Sequence, residues 1–496
     1  MPGDVTISGA GAWLVVIVGG LLLLTIVTIA IVSLVVVPRN RRPQSALAWL
    51  LLIYILPIIG FLLFLMLGSR RLPKRRRQQQ EEINRYILET TEGMDRVSQD
   101  GGWPPWLEPI VELNRNLGAM PLVGGNAATV YTDYTASIAA MTEAVRRAER
   151  SVHVEFYIMS VDDETEPFFL ALADAVRRGV TVRVLYDHVA SLRVRGYRRM
   201  RRRLDAIGAE HHRMLPITLF RGEWQRPDLR NHRKFLIVDG SVGFTGSQNL
   251  IERGYGRRRR RDGSRLEWKE LMVRLEGPIV AGLEALFATD WYSETDELLL
   301  RETVIPPELD PDEGLDAQVV PSGPAFEGEN NLRLFNSLVY AAQEQIQICS
   351  PYFVPDESML YAITTAAQSG LDVQLFVSEI GDQTLVFHAQ RSYYEELLRA
   401  GVRIWLYRSP TVLHAKHFTI DDQVAIIGSS NMDMRSFSLN LEVSVMVRGA
   451  SIIRELRAIE QSYRENSREL TLDAWLRRPA HMRIFDDLAR VTATVQ

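Results

Sequence analysis

His232 and Lys234 stand two residues apart, followed by Asp239 and then by Gly246, Ser247 and Asn249. The same residue types return at His414, Lys416, Asp421, Gly428, Ser429 and Asn431, each 182 residues further on. Six matches at one offset mark a duplicated half-site. Facing each other, two such half-sites would gather two imidazoles, two ammonium groups, two hydroxyls and two amides around one point. That set suits a phosphodiester. Lysine neutralises the non-bridging oxygens, while serine and asparagine donate hydrogen bonds. One histidine can attack phosphorus and the other can protonate the departing alcohol. No acidic cluster with metal-ligand spacing accompanies them, so neither a metal nor another cofactor is expected.

The elements that must position these groups follow from periodicity. Residues i and i+2 of a strand share a face, so His232 goes with Lys234 and His414 with Lys416. Phe235, Ile237, Phe418 and Ile420 suit buried strands. Asp239-Gly240 signals a hairpin, with 242–245 returning antiparallel. The Gly-Ser-x-Asn segment then leaves the strand and is expected to open a helix, presenting its polar groups to an anion. Asp239 and Asp421 complete the catalytic pattern. They fall at the far strand ends, where holding lysine or loop structure suits them better than touching substrate. Glu442 follows His414 by 28 residues, and Glu270, in a similar setting, follows His232 by 38. An insertion carrying the arginines 257–261 accounts for the excess. Each glutamate is expected to accept a hydrogen bond from a site histidine and so fix its tautomer.

These residues resemble the two HKD motifs of the phospholipase D superfamily. More narrowly, the chain is similar to bacterial cardiolipin synthases of that type. The narrower likeness rests on Glu155-Phe-Tyr-Ile, Arg230-Asn-His-Arg-Lys-Phe, Ser350-Pro-Tyr-Phe-Val-Pro and the run from Asn431 to Glu442, together with the apolar N-terminal hairpin. The chain departs from the pattern in its arginine run 257–261 and in having Glu270 where the resemblance leads one to expect Asp. The resemblance implies an α/β fold of two pseudo-symmetric halves, mixed sheets flanked by helices, after an N-terminal two-helix transmembrane hairpin. It implies that two phosphatidylglycerol molecules become cardiolipin and glycerol through a phosphohistidine, with His232 as nucleophile and His414 as acid and base. It also implies a bacterial inner or plasma membrane location, phosphatidylglycerol and an anionic bilayer as partners rather than nucleic acid, and room for a homo-oligomer. Three rivals stand beside this: a phospholipase D-type hydrolase using water, a nuclease of the same superfamily, and a non-catalytic membrane-surface binder.

The chain has 496 residues and a net charge of −4, too long for one ordinary domain and without a global charge signal. Residues 12–37 and 43–68 are each free of charge for 26 residues, enough to span a bilayer core. A short basic connection joins them, and Pro57 and Gly60 are positioned to kink the second. More basic residues follow the second run than lie in the connection, which places the remainder in the cytoplasm. The expected divisions are a hairpin over 1–70, a basic helical linker over 71–120, a first half over 121–300 and a second over 317–496. Helix and strand patterns alternate in both halves, the signature of α/β layers.

The bland readings are kept for the rest. The single cysteine, Cys349, reads as a buried small apolar residue. The histidines at 153, 188, 211, 212, 388, 417 and 481 have no repeat partner and read as structural. Glu155 and Tyr157 share a strand face and fit either the site or the core. The seven arginines between Arg193 and Arg203 fit anionic headgroups or a solvated helix face.

Overall fold

The computed structural model describes residues 9–39, 41, 43–68, 72–95, 103–217, 226–255, 265–299, 304–309, 314–326 and 328–491. Arg42, Arg70, Arg71, Gly101, Gly102 and the arginine run 257–261 lie outside the described residues. The chain divides into two compact units, Met1–Arg71 and Leu72–Gln496.

In the first unit, helix α1 (Gly9–Val36) contains a stretch, Val16–Val36, of mean hydropathy 2.7, long and apolar enough to cross a membrane. The second apolar run is interrupted. It forms α2 (Pro43–Ile55) and α3 (Pro57–Leu67), separated by Leu56 at φ −129° and ψ 73°. Pro57 has no N–H to continue the helical ladder. The bend is sharp, because Gly60 lies against the backbone of Leu52 and Ile53, where a Cβ would meet Leu52 O at 2.7 Å. Trp49 meets Phe64 edge-on at 5.5 Å across it. A kinked second span is the sequence expectation. The break at Leu56–Pro57 agrees with that bend, and the backbone builds one helix of spanning length and two of about 20 and 16 Å at 1.5 Å per residue.

The second unit opens with α4 (Lys74–Thr90) and is organised by a 15-stranded sheet. One half contributes β1 (Leu122–Tyr131), β2 (Ser151–Phe156), β3 (Thr181–Asp187), β4 (Glu210–Met214), β5 (Lys234–Val238), β6 (Val242–Gly246) and β8 (Met272–Glu276). The other contributes β9 (Leu315–Ser322), β10 (Gln345–Cys349), β12 (Asp372–Ser378), β13 (Arg403–Tyr407), β15 (His417–Ile420), β16 (Val424–Gly428), β18 (Glu442–Arg448) and β19 (Ser467–Leu470). From one edge the order is β4-β3-β2-β5-β6-β8-β1, and from the other β19-β13-β12-β10-β15-β16-β18-β9. Apart from β19, the two halves repeat one another. They meet where β1 pairs antiparallel with β9, so the halves share one sheet. Both are mixed: β2 runs parallel to β3 and antiparallel to β5, and β10 does the same with β12 and β15. Short pairs outside the sheet, β11 (Phe353–Val354) with β17 (Met432–Asp433) and β7 (Glu267–Lys269) with β14 (Thr411–Leu413), finish the scaffold.

Apolar side chains alternate between the two sheet faces, each covered by helices. Phe168 and Phe169 of the helix Glu166–Arg177 pack with Val152 and Val154 of β2 in one core. Phe287 and Trp291 of the helix Ile279–Thr295 share a core with Phe235 of β5 and with Val443 and Val445 of β18, so that core belongs to both halves.

The hairpin signals translate directly. Asp239 and Gly240 both have positive φ, 53° and 65°, as a tight two-residue turn requires. The Asp239 carboxylate accepts from the backbone N–H groups of Glu149, Arg150 and Ser151 at 2.7–2.9 Å. Asp421 does the same for Gln343, Glu344 and Gln345 at 2.8–3.0 Å. Both therefore tie a hairpin turn to the start of the neighbouring strand. They sit about 16 Å along the strand from the lysines, at 3.3 Å per residue, which removes them from the catalytic set to which the motif assigned them. The Gly-Ser-x-Asn segments correct another expectation. After Ser247 and Asn249 the chain forms an isolated bridge, and after Asn431 it forms β17, so neither segment itself opens a helix.

Asp421 is almost fully buried, and an ionised acceptor of backbone N–H groups contributes about 1.5–3 kcal/mol per bond. Asp421→Ala is expected to lower unfolding stability by on the order of 3 kcal/mol, and the more exposed Asp239→Ala by less. Denaturant titration of the purified protein checks both. Normal stability with lost turnover would return the aspartates to the chemistry.

Candidate active site

The site forms where the two halves exchange segments. The His232 backbone N–H donates to Leu441 O at 2.8 Å, and that of His414 to Lys269 O at 2.8 Å. Each histidine is thus held by the residue preceding the other half's glutamate. The side chains follow. His232 Nδ1 lies 2.9 Å from Glu442 Oε2. His414 Nδ1 lies 2.8 Å from both oxygens of Glu270. With Nδ1–H donated to a carboxylate, a neutral imidazole carries its lone pair on Nε2.

The serines complete the carboxylate shells. Ser247 Oγ donates to Glu270 at 2.6 Å, and Ser429 Oγ to Glu442 at 2.5 Å. Each serine oxygen also accepts a backbone N–H, from Leu271 and Val443 respectively, at 2.9 and 3.0 Å. The preceding glycines explain their place in the motif: a Cβ on Gly246 or Gly428 would strike the carbonyl of Leu271 or Val443. Asn249 is also engaged, accepting from Ile158 N–H at 3.2 Å and donating to the Tyr255 hydroxyl at 2.8 Å. Asn431 is buried with its amide oxygen unpartnered. Of the four residues expected to bind phosphate, three are therefore spent on the scaffold.

Lys234 and Lys416 are both buried. Each donates to the carbonyl of its own motif histidine, at 2.6 and 2.7 Å. Lys416 Nζ also lies 3.1 Å from His414 Nε2, whereas among the described residues His232 Nε2 makes no hydrogen bond. The Tyr157 ring lies 4.7 Å from His232 and 5.2 Å from the Lys234 ammonium, which places Tyr157 in the site and not only in the core.

Burial dominates the electrostatics. It pushes His232 down to about 4 against the pull of Glu442, with Lys234 and Lys416 adding to the depression. Burial also lowers His414, against Glu270. It brings Lys234 down to about 7 and Lys416 to about 8, each opposed by the site glutamates. Burial works to raise both glutamates, but His414 holds Glu270, and His232 holds Glu442, below the ordinary carboxylate range. At neutral pH the site thus contains neutral imidazoles, ionised carboxylates and lysines near their titration points. An anionic diester would restore full charge to the lysines.

Sequence reasoning missed three members. The Tyr255 hydroxyl donates to Glu270 at 2.8 Å, and Ser436 occupies the matching place on Glu442 at 2.7 Å. They differ in type and follow their asparagines at different intervals, so the repeat cannot reveal them. Tyr352, within a quoted motif, lies 6.2 Å from His414 and donates to Asp382 at 2.9 Å.

A continuous two-half α/β sheet with paired histidine–lysine motifs defines the phospholipase D-like class. The family model described as "Cardiolipin synthase, PLD-like domain" matches residues 141–291 and 336–463, and the phospholipase D-nuclease N-terminal model matches 23–69. The chain is 32% identical to cardiolipin synthase A of Proteus mirabilis, covering 90% of this chain and 91% of that one. It is 31% identical to a cardiolipin synthase of Alkalihalophilus pseudofirmus, covering 90% and 88%. A crystal structure of phosphatidylserine synthase from Haemophilus influenzae shares the fold, with a TM-score of 0.60 at 13% identity, covering 77% of this chain and 98% of that one. The chain belongs to the cardiolipin synthase family, enzymes of the phosphatidyltransferase type with phospholipase D-like domains.

Two predictions follow from the crossed pairs and the lysines. Glu442→Gln should lower turnover by about 10²–10⁴-fold and shift the ¹⁵N signals of His232, while Glu270→Gln shifts those of His414. Movement of the same-half histidine instead would refute the crossing. For the free enzyme, kcat/KM should fall as pH rises through about 7 and 8, where Lys234 and Lys416 lose charge. His232 stays neutral, and sets no acid limb, until pH nears about 4.

Proposed function

We propose that this chain is a membrane-bound phosphatidyltransferase that converts two phosphatidylglycerol molecules into cardiolipin and glycerol through a phosphohistidine. The observation that carries the reading is the pair of buried histidines, each oriented through Nδ1 by a carboxylate, with buried lysines beside them.

His232 Nε2 attacks the phosphorus of the first lipid, forming an N–P bond as the bond to the glycerol headgroup breaks. His414, protonated when the anionic diester is bound, delivers its Nε2 proton to that leaving oxygen. The glycerol hydroxyl of a second lipid then gives its proton to His414 and attacks phosphorus, and the N–P bond breaks. One phosphodiester replaces another, so no nucleotide enters. The His232 Nε2, without a hydrogen bond among the described residues, supports its role as nucleophile, and the Lys416 contact at His414 Nε2 supports the proton-handling role there. Lys234 and Lys416 balance the charge on the non-bridging oxygens. Tyr255, Ser247, Ser429 and Ser436 act through the glutamates as positioning residues.

The spanning helix α1 supports residence in a bacterial cell membrane, and the basic residues after the hairpin support a cytoplasmic active site. Confinement beside the leaflet raises the effective concentration of both substrates, favouring lipid alcohol over water as acceptor.

The full-length protein, placed in phosphatidylglycerol vesicles without nucleotide, is expected to release glycerol and form cardiolipin by mass spectrometry, and His232→Ala to form none. Phosphatidic acid in place of cardiolipin would make the enzyme a hydrolase. Undiminished product from His414→Ala would overturn the two-histidine scheme.

A further inference from the structure

The C-terminal helix Ala480–Val491 packs with its polarity reversed. Its buried positions are Asp486 and Ala489, while Ile484, Leu488 and Val491 are 61%, 62% and 76% exposed. Those three fall at i, i+4 and i+7, a single stripe on the helix surface. The helix is held by its acid: Asp486 receives His388 Nδ1 at 2.7 Å, Arg391 Nε at 3.3 Å and the Arg478 guanidinium. A helix of a soluble domain normally does the opposite, burying its apolar stripe and wetting its charges. The helix beneath, Thr384–Arg391, adds Leu385, 54% exposed.

This apolar face adjoins the site. The loop before Thr384–Arg391 carries Asp382, which holds Tyr352 beside His414. Within that helix, Gln390 accepts from Phe353 N–H at 2.8 Å. The matching position in the first half is basic. Ser191 donates to Tyr157 O at 3.2 Å, and Tyr157 packs on His232. The arginine stretch begins two residues later. Arg199 and Arg203 pair with Glu166, but Arg198, Arg201 and Arg202 of the helix Tyr197–Ile207 make no ion pair among the described residues.

We infer that this rim docks on an anionic bilayer surface, with Ile484, Leu488, Val491 and Leu385 entering the boundary between headgroups and acyl chains and the free arginines meeting lipid phosphates. Apolar residues from one half and unpaired arginines at the matching position of the other suit such a surface. A second copy suits it less, because a two-fold pairing would set like charges against each other. Docking here would bring the mouth of a deeply buried site to the plane of the headgroups. The inference deepens the proposed lipid reaction, but its test reads insertion directly.

Leu488→Cys in the full-length protein accepts an environment-sensitive fluorophore, while Cys349, 2% exposed, stays unlabelled. Glu143→Cys, on the helix Tyr134–Arg147, serves as the water-facing control. In vesicles of phosphatidylglycerol and phosphatidylcholine, shallow spin-labelled lipids are expected to quench the 488 label far more than the 143 label. The difference should shrink when phosphatidylglycerol is omitted. Equal quenching at both positions overturns the inference, as does energy transfer between labelled copies without quenching, which would mean that a second copy covers the face. Ile484→Glu with Leu488→Glu, both at exposed positions, should cut turnover of vesicle lipid by about tenfold and leave a short-chain diester in solution unaffected. Equal losses on both substrates would point to a folding defect and against docking. Quenching at 488 without any cardiolipin formed would keep the docking surface and reject the proposed substrate.

Discussion

The crossed carboxylate–histidine pair is the interaction on which the rest of the second unit depends. Glu442 serves His232, and Glu270 serves His414. Neither half can orient its own imidazole. This requirement explains why β1 and β9 join the halves into one sheet and why the central core mixes Phe235 with Val443. It also explains Gly246 and Gly428, whose missing side chains let the segments carrying the glutamates approach closely enough for the serines to bridge them. A looser junction would separate a hydrogen bond of 2.8–2.9 Å, and with it the tautomer of both histidines.

Burial then sets the chemistry. In water an imidazole near neutrality is partly protonated and a poor nucleophile. Here desolvation strips its proton, and the same desolvation brings the lysines within reach of neutrality. An anionic diester beside the lysines would favour their charged form against the burial that depresses it. Binding energy therefore appears where a phosphodiester is, and a neutral ligand would forgo it. Of the expected phosphate ligands, Ser247, Ser429 and Asn249 are consumed in holding the glutamates and their surroundings. The site thus relies on charge more than on hydroxyl contacts.

Much of this was legible in the sequence, for identifiable reasons. The repeat at one offset exposed the histidines and lysines because the two halves are copies. The Asp-Gly turn and the strand pattern were readable because they are local. The crossing was not, since an offset says which residues correspond but not which correspond across the interface. The serines misled because a hydroxyl in a Gly-Ser-x-Asn loop reads as a phosphate ligand, and only the packed backbone shows the carboxylate beside it. Tyr255 and Ser436 do one job with different residue types, so no repeat could find them. In the first unit, composition gave two spanning runs, but Pro57 and the Gly60 contact fold the second back on itself, a geometry set by close packing within that unit and not by hydropathy.

The crossing also has an order in time. His232 leaves the ribosome 210 residues ahead of Glu442, an interval of roughly 10–40 s at 5–20 residues per second. Throughout it, the N-terminal helices and the first histidine motif are already made, yet the imidazole has no carboxylate to orient it. His414, by contrast, emerges after Glu270 and finds its partner waiting. The nascent chain thus cannot orient the His232 imidazole until the strand bearing Glu442 arrives, so the crossed pairs are complete only when the second half has folded against the first.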